Sequence, residues 1–413
     1  MLKQLILENW KSFRYAELPL DPLTVLIGTN ASGKSNVVEA LEFLQRIAQG
    51  ENIESALAGD KTLASIRGGV EWAARKPESQ FTLKVLMQGE DENTDYLYVI
   101  QIQTLPEVRV IKEYIEFETL NEKKVLTVKN YNFTSKSGLR FVDSSAESDE
   151  LRQFNPFNEK KLLQGEDFLE ILQNHYLPLK KKLNILVISS LQKSLILNPI
   201  PSQMRDYSRL SDTLESDVSN IAGVLAALSE QQKKEVESAL SDYIKHLPEG
   251  DIKKVWAEKV GRFGTDAMLY CQEEWKPGEI TEIDARSMSD GTLRFLAILT
   301  ALLTRPEGSQ LVIEEIDNGL HPSRAKLLVK ILREIGSKRN IDILITTHNP
   351  ALLDALGPEI VPFVVVAHRD SETGESKLTI LEDIDNLPLL LASGTLGKLA
   401  TKGAIEKSLS ENK

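Results

Sequence analysis

Apolar residues in the first 130 positions follow the spacing of β-strands, interrupted by one helical segment. Residues 2–8 alternate around Leu2, Ile6 and Leu7, and residues 23–27 form the continuous apolar run typical of a strand buried on both faces. Residues 34–47 carry apolar side chains at helical spacing, which predicts a helix. Three further strands, at 81–87, 96–102 and 108–117, are separated by polar turns and predict an antiparallel sheet.

The rest of the chain is predicted to be mainly helical up to about residue 249, and strands and helices are predicted to alternate after it. Helix dominates from about 150 to 249, after a polar loop at 144–150, and its clearest apolar faces lie at 219–228 and 231–247. Two strands within 254–283 precede a helix that begins near Gly291. Strands at 311–316, 341–346 and 361–367 then alternate with helices at 322–335 and 350–356, which predicts parallel βαβ units. The sequence has no internal repeat or sustained heptad run, so we expect no long coiled-coil arm.

Composition narrows the class of protein. The 413 residues include 49 basic and 61 acidic side chains, which gives a net charge of −12. A chain with this charge lacks the overall positive potential expected of a protein that binds nucleic acid constitutively. The single cysteine, Cys271, excludes an internal disulfide, and we expect it to be a buried structural thiol. The longest apolar stretch, 293–304, is far shorter than the roughly 20 residues of a membrane helix, and no secretion signal is present. We therefore expect a cytoplasmic protein without membrane contact.

A glycine-containing loop joins the strand at 23–27 to the helix at 34–47. Its sequence, Gly28-Thr-Asn-Ala-Ser-Gly33-Lys34-Ser35, has the glycine and lysine spacing of loops that direct successive backbone N–H groups at phosphate. Lys34 can reach the β- and γ-phosphates, and the Ser35 hydroxyl can bind Mg²⁺. We assign the following loop residues to the nucleotide: Gly28, Asn30, Ser32, Gly33, Lys34, Ser35 and Asn36.

Two carboxylates end the apolar strand predicted at 311–316. Oxygen ligands suit Mg²⁺, so we assign Glu314 to the metal, and Glu315 to the water that attacks the γ-phosphate. Solvated acids at the end of a strand are the alternative interpretation.

Two further segments could face phosphate. Ser289 and Asp290 precede an apolar helix, where the serine could bind phosphate together with Gly291 or could simply cap the helix. His348 follows a strand and precedes a helix; it could donate a hydrogen bond to the γ-phosphate or be a structural histidine. The four motifs occur in one order along the chain, and we take them as parts of one site.

Together these segments resemble the ABC-type ATPases of the SMC, RecF and OLD (overcoming lysogenization defect) group. The resemblance covers residues 1–130 and 250–367 and is loose in the helical middle. The segments that carry it are Asn9-Trp-Lys-Ser-Phe13 with the phosphate loop, a signature motif at 289–295, a Walker B and D-loop at 314–322, and a switch motif Thr347-His348.

The resemblance implies an α/β fold of the phosphate-loop, ABC-ATPase type: a mixed sheet, an antiparallel β-subdomain and an inserted helical subdomain. We expect four regions, namely the N-terminal part of the core at 1–149, the helical insertion at 150–249, the C-terminal part of the core at 250–380 and a tail at 381–413. The tail resembles a docking segment, although it could equally fold onto its own core.

The resemblance also implies that two protomers pack head to tail around ATP and Mg²⁺, with Ser289 and Gly291 acting on the partner's nucleotide. Catalysis is then assigned to Glu315 and His348. Departures from transporters are Glu314 in place of aspartate and His321 at the D-loop aspartate position. No Q-loop glutamine is identified, and Lys11 and Ser12 are secondary candidates for nucleotide contact.

Three roles remain open, one of which is a regulator that binds ATP but barely hydrolyses it. OLD nucleases carry a Toprim domain after the ATPase, for which the residues beyond Ala367 are too few, so one expectation is a switch in bacterial anti-phage defence with a separately encoded effector such as a Toprim-like nuclease. The third is a RecF-like DNA repair or maintenance factor whose closed dimer clamps DNA. DNA contact would then be sought at Lys160, Lys161 and the lysines 180–182, in a segment more basic than the whole.

Overall fold

A computed structural model describes residues 1–89, 94–119, 128–129, 177–248 and 251–411. The chain divides into two compact units. Unit 1 contains residues 1–20, 35–194 and 373–377, and unit 2 contains residues 21–34, 195–372 and 378–413. The predicted loop at 144–150 and the candidate DNA-contact residues Lys160 and Lys161 lie outside the described residues.

The strands of the described chain, numbered in order, have the following bounds: β1 Leu2–Trp10, β2 Phe13–Pro19, β3 Leu23–Ile27, β4 Gln80–Gln88, β5 Thr94–Gln103, β6 Arg109–Thr119, β7 Val128–Lys129, β8 Ser194–Leu197, β9 Ser208–Arg209, β10 Ile252–Val260, β11 Asp266–Lys276, β12 Glu279–Asp284, β13 Gln310–Ile313, β14 Asp342–Thr346, β15 Val364–Arg369 and β16 Ser376–Ile380.

The α-helices, numbered in the same way, have the following bounds: α1 Lys34–Ala48, α2 Ile53–Ala58, α3 Leu177–Gln192, α4 Pro201–Met204, α5 Ile221–Ala227, α6 Glu230–Ile244, α7 Asp290–Thr304, α8 Ala325–Arg339, α9 Pro350–Leu356, α10 Leu387–Ser393, α11 Leu396–Thr401 and α12 Ala404–Glu411. None of the helices in the described part of the chain is both long and apolar enough to cross a membrane.

Unit 1 contains an antiparallel sheet with the strand order β7-β6-β5-β4-β1-β2. Its core includes an aromatic cluster in which Trp10 packs edge-on against Phe81 with ring centroids 4.9 Å apart, and Phe43 of α1 packs against both rings. All three side chains are buried. Because each aromatic side chain removes a large apolar area from water, this cluster anchors α1 to the sheet of unit 1.

Unit 2 contains a parallel sheet in which β15, β3, β14 and β13 are consecutive neighbours, with β8 beyond β13. A second sheet is antiparallel, with β11 between β10 and β12, and β9 pairs with one end of β11. The apolar residues of α5, α7 and α8 are buried in one core with those of the parallel strands. The parallel strands point their carboxyl ends in one direction, and this edge is where open α/β sheets bind ligands.

The last three helices belong to the body of unit 2. Leu396, Leu399 and Ile405 are buried in the same core as the parallel strands. Gly397 lies so close to α9 that a β-carbon there would be 2.1 Å from the Pro350 carbonyl oxygen, and its N–H donates to Asp354 Oδ1 at 2.7 Å. Of the two interpretations of the tail, the structure favours a segment folded onto its own core.

Several predicted elements needed correction. The strand predicted at 311–316 ends at Ile313, because the following residues form a turn. The strand predicted at 361–367 begins only at Val364, because Pro358–Phe363 forms a 3₁₀ helix that contains Pro362. The region 254–283 holds most of three strands where two were expected, and β2 and β8 were not predicted. Cys271 is buried, as expected, and burial raises the pKa of its thiol to about 12.

One buried acid in unit 1 makes stability depend on pH. Burial raises the pKa of Glu113 to about 7, against an ordinary value of 4.5, although the Tyr98 hydroxyl donates a hydrogen bond to its Oε1 at 2.8 Å. The folded protein therefore binds this proton more tightly than the unfolded chain does. The stabilisation is complete below about pH 4.5 and is lost as the pH rises to about 7.

We predict that Glu113→Gln, which mimics the neutral acid, raises the unfolding free energy at pH 8 by about 2 kcal/mol, with a much smaller effect at pH 5. Denaturant unfolding at the two pH values measures the difference. Glu78→Gln, which removes an exposed carboxylate of the same unit, is the control. An equal effect of Glu113→Gln at both pH values would contradict the account.

Candidate nucleotide-binding site

The phosphate loop reverses the chain between β3 and α1 by three residues with positive φ. Gly28 has φ +144°, Ala31 +63° and Gly33 +112°. A β-carbon at Gly28 would lie 2.1 Å from the backbone oxygen of Ala367 in the neighbouring strand β15, so only glycine fits. The Arg369 guanidinium donates from Nε to the Ala31 carbonyl at 2.9 Å and holds the tip of the loop. The loop is therefore preformed, with its backbone turned in the manner that exposes N–H groups to an anion.

The Lys34 side chain forms hydrogen bonds to the backbone of its own loop. Its ammonium donates to the backbone oxygens of Gly28 at 2.6 Å and of Thr29 at 3.0 Å. Because this lysine begins α1, it stands at the positive end of the helix dipole, where a phosphate is also favoured. Ser32 is buried, and its Oγ has no hydrogen-bond partner among the described residues.

The electrostatics of Lys34 bring the candidate carboxylates into the same site. Burial lowers the pKa of Lys34, whereas the negative charges of Glu315, Glu314 and Glu406 act in the opposite direction. The first two are the acids that the sequence assigned to Mg²⁺ and to water. The third, on the C-terminal helix α12, was not predicted. The phosphate-loop lysine and the acids after β13 therefore share one electrostatic environment.

Glu315 is held in an unusual backbone conformation. Its φ is +47°, a region that non-glycine residues rarely occupy and that is often retained at functional sites. Its N–H donates to Thr346 Oγ1 at 2.8 Å, and the N–H of Ile316 donates to the Thr346 carbonyl at 3.1 Å. The Glu315 side chain is exposed, whereas Glu314 is half-buried. These contacts fix the direction in which the exposed carboxylate leaves the end of the sheet.

The switch segment follows β14 at the same edge. The Thr347 hydroxyl donates to Asp317 Oδ1 at 2.5 Å, which links this segment to the turn after Glu315. His348 is exposed. Asn349 caps α9, because its side chain accepts a hydrogen bond from the N–H of Ala351. Exposure favours a histidine available to a ligand over a buried structural one.

The signature segment combines a helix cap with close packing. Ser289 Oγ accepts a hydrogen bond from the N–H of Thr292 at 3.1 Å, so the serine does cap α7. A β-carbon at Gly291 would lie 2.9 Å from the Gly319 carbonyl and 3.0 Å from a nitrogen of Arg324. Glycine is thus needed where the signature helix meets the D-loop of the same chain.

The unit 1 residues that were proposed near the nucleotide form their own network. The Asn36 side chain donates to Ser12 Oγ at 2.8 Å, and Trp10 Nε1 donates to the Asn36 carbonyl at 2.7 Å. Lys11 forms a buried ion pair with Glu39, and burial lowers the pKa of its ammonium. Ser35 follows Lys34 directly in the chain. In this structure, Lys11 and Ser12 support the first turn of α1.

The donors fit Mg²⁺. Hydroxyl and carboxylate oxygens are the ligands this ion takes, and it commonly keeps several waters beside one or two carboxylates and the phosphates of its nucleotide. The two residues that the sequence assigns to the metal, Ser35 and Glu314, carry a hydroxyl and a carboxylate, which are oxygen groups of this kind.

Sequence reasoning missed several residues that support the site. They are Thr346 and Asp317, which fix the turns, and Arg205, Arg324 and Arg369, which hold the signature and the phosphate loop. Their partners are up to 338 residues away in the chain, as for Arg369 and Ala31, so no local pattern could identify them.

Comparisons with known proteins show what the fold of this chain is similar to. The structure is similar to an SMC head bound to the C-terminal winged-helix domain of ScpA, with a TM-score of 0.52 and 14% identity, covering 92% of this chain and 97% of that one. It also matches an SMC head domain from Thermotoga maritima, with a TM-score of 0.45 and 13% identity over 92% and 98% of the two chains. No curated protein matches the sequence.

The fold is that of the ABC-type ATPase heads of the SMC kind, which confirms the predicted α/β class with a mixed sheet. A family model described as "AAA domain, putative AbiEii toxin, Type IV TA system" matches residues 23–354. The chain belongs to this family.

We predict that Gly28→Ala weakens ATP binding by roughly a hundredfold, because the new methyl group would displace the loop from the Ala367 carbonyl. Calorimetric titration with ATP measures the loss, and circular dichroism checks folding. Gly308→Ala is the matched control, since Gly308 also has positive φ but a β-carbon there has no neighbour within 4 Å. Equal binding by Gly28→Ala and the parent would show that the tight approach is not required.

Proposed function

We propose that this protein binds and hydrolyses ATP and that two copies close around the nucleotide, so that ATP binding and hydrolysis switch the assembly between two states. The observation that supports it most concerns Glu315. Its carboxylate is exposed, its backbone is held by Thr346 in a strained turn, and its charge acts on Lys34. A structural acid at a strand end would not require such a backbone.

The roles follow from this geometry. The loop amides and Lys34 bind the β- and γ-phosphates, and Lys34 exchanges its bonds to the Gly28 and Thr29 carbonyls for phosphate oxygens. Glu315 orients and deprotonates the attacking water, and His348 donates to the γ-phosphate. Mg²⁺, held through Ser35 and Glu314, would neutralise the phosphate charge. Ser289 and Gly291 of a second copy would cap the γ-phosphate, so ATP joins the subunits and hydrolysis releases them.

We predict that Glu315→Gln retains ATP binding but hydrolyses ATP about 10²–10⁴ times more slowly, because the base is lost while the size and shape of the side chain change little. The same variant should accumulate as an ATP-dependent dimer in size-exclusion chromatography with light scattering. Lys34→Ala should neither bind nor dimerise. Glu307→Gln, an exposed carboxylate elsewhere in unit 2, is the control. Parental hydrolysis by Glu315→Gln would refute the assigned base.

The output of the switch is proposed to be a separate protein. The SMC head in the comparison was solved with a bound domain of another protein, and the family description names a toxin–antitoxin system. We propose that this chain likewise controls a separately encoded effector, such as a Toprim-like nuclease, in anti-phage defence within the cytoplasm.

A DNA clamp is the second candidate, and one observation favours it. A groove between α6 and β10 is lined by five lysines, and three acids also line it. The lysines are Lys233, Lys234, Lys245, Lys253 and Lys254. Three of them form ion pairs: Lys233 with Glu237 at 2.8 Å, Lys245 with Asp242 at 3.2 Å and Lys253 with Glu274 at 2.9 Å. Lysines 180–182 lie on α3, where Lys182 is exposed.

The salt dependence of DNA binding distinguishes the DNA clamp from control of a separate effector. If the groove grips DNA, the ATP-closed Glu315→Gln protein should bind duplex DNA with an affinity that falls steeply with salt, roughly in proportion to the phosphates contacted. Lys234→Gln with Lys254→Gln should reduce that slope, whereas Lys61→Gln, an exposed lysine of unit 1, should leave it unchanged. Absence of ATP-dependent DNA binding would favour the separate effector.

A further inference from the structure

Arg205 connects the two sides of the signature serine. It follows α4 in the chain, and its Nη2 donates to the Met288 carbonyl at 2.8 Å and to Asp290 Oδ1 at 2.6 Å. Met288 and Asp290 are the residues immediately before and after Ser289. One guanidinium therefore fixes the turn that carries the serine.

The negative charge of Asp290 has two opposite effects at this turn. It occupies the first turn of α7, where the helix dipole and the unbonded N–H groups favour an anion. An aspartate there stabilises the helix in the free protein. The same negative charge would repel a phosphate that approaches the helix from another molecule.

The pair is exposed in the single chain. The Asp290 side chain is 68% exposed and that of Arg205 is 25% exposed, so water screens the ion pair and its contribution to stability is small. When a second surface closes over α7, water leaves and the effective dielectric falls. An aspartate without a counter-charge would then oppose closure strongly.

Nearby charges do not replace Arg205. The Arg324 guanidinium packs against the position of a Gly291 β-carbon and is buried, and Arg294 lies 3.2 Å from where a Gly319 β-carbon would stand. Both arginines therefore lie towards the D-loop. Arg205 is the basic residue that bonds the Asp290 carboxylate.

We propose that Arg205 is a positioning residue for the reaction: it neutralises Asp290 and fixes the Ser289 turn, so that the N-terminus of α7 can accept the triphosphate bound by a second copy of the chain. This inference rests on the proposed function, because it requires closure around ATP. It assigns Arg205 no contact with the nucleotide. Its action passes through Asp290.

The test compares variants in the Glu315→Gln background, where closed dimers accumulate. The ATP concentration that gives half-maximal dimer is measured by light scattering. Arg205→Ala should raise this concentration about tenfold, because the exposed charge of Asp290 faces the phosphate. Adding Asp290→Asn should restore it to within about threefold of the background, because the repelling charge is removed together with its counter-charge.

Controls separate this mechanism from a structural tether. Arg205→Gln keeps a polar side chain with an amide donor but lacks the charge, and it should resemble Arg205→Ala. Arg209→Ala removes a nearby exposed arginine on β9 and should leave the half-maximal concentration unchanged. The melting temperatures of the single chains should change little, since the Asp290 carboxylate is exposed to water before closure and the ion pair is screened.

The outcomes are distinct. Rescue by Asp290→Asn supports neutralisation, whereas loss without rescue would show that Arg205 acts as a tether or touches phosphate itself, which overturns the proposal. Unchanged dimerisation by Arg205→Ala would also overturn it. If Glu315→Gln alone fails to dimerise with ATP, the proposed function fails and the role of Arg205 with it.

Discussion

The site depends on one close approach, that of the Gly28 α-carbon to the backbone oxygen of Ala367. Strands β3 and β15 run parallel as neighbours, and the chain leaving β3 must turn sharply while still packed on β15. A side chain at position 28 would push the loop off the sheet. With glycine there, and with Arg369 bonded to the Ala31 carbonyl, β15 sets the position of the loop that points at phosphate. The position of the proposed phosphate-binding loop thus depends on the parallel sheet as much as on the loop sequence.

The same edge of the sheet couples the acids to the switch segment. Thr346 ends β14 and uses both its side chain and its carbonyl to hold the turn after β13, while Thr347 holds Asp317 two residues beyond Glu315. A shift of one turn must therefore move the other. The segment that carries His348 and the turn that carries Glu315 are therefore joined by hydrogen bonds, which suits their proposed roles as γ-phosphate sensor and base.

The sequence predicts the elements and motifs that are local, and misses what depends on distant partners. The α1 helix was predicted to within one residue at each end, because its apolar spacing and the preceding glycines are contiguous signals. The strand before Glu314 was predicted too long, since Ile316 continues the apolar residues beyond the two glutamates, whereas the Thr346 side chain holds the backbone of Glu315 in a turn. Arg205 lies 85 residues from Asp290, in a segment with weak periodicity, and only the folded chain brings them together.

The C-terminal helices show why sequence motifs alone could not identify every residue of the site. They were predicted as a tail, yet Gly397 is seated against the Pro350 carbonyl at the start of α9, the helix that follows His348. Through the same packing, Glu406 of α12 adds its negative charge to the environment of Lys34, and its Oε2 is buried without a hydrogen-bond partner among the described residues. A buried carboxylate oxygen near the phosphate-binding lysine opposes the entry of a triphosphate unless a cation accompanies it. If the chain binds ATP with Mg²⁺ as proposed, the tail contributes to the charge balance of the site, and a motif search that ends at His348 omits it.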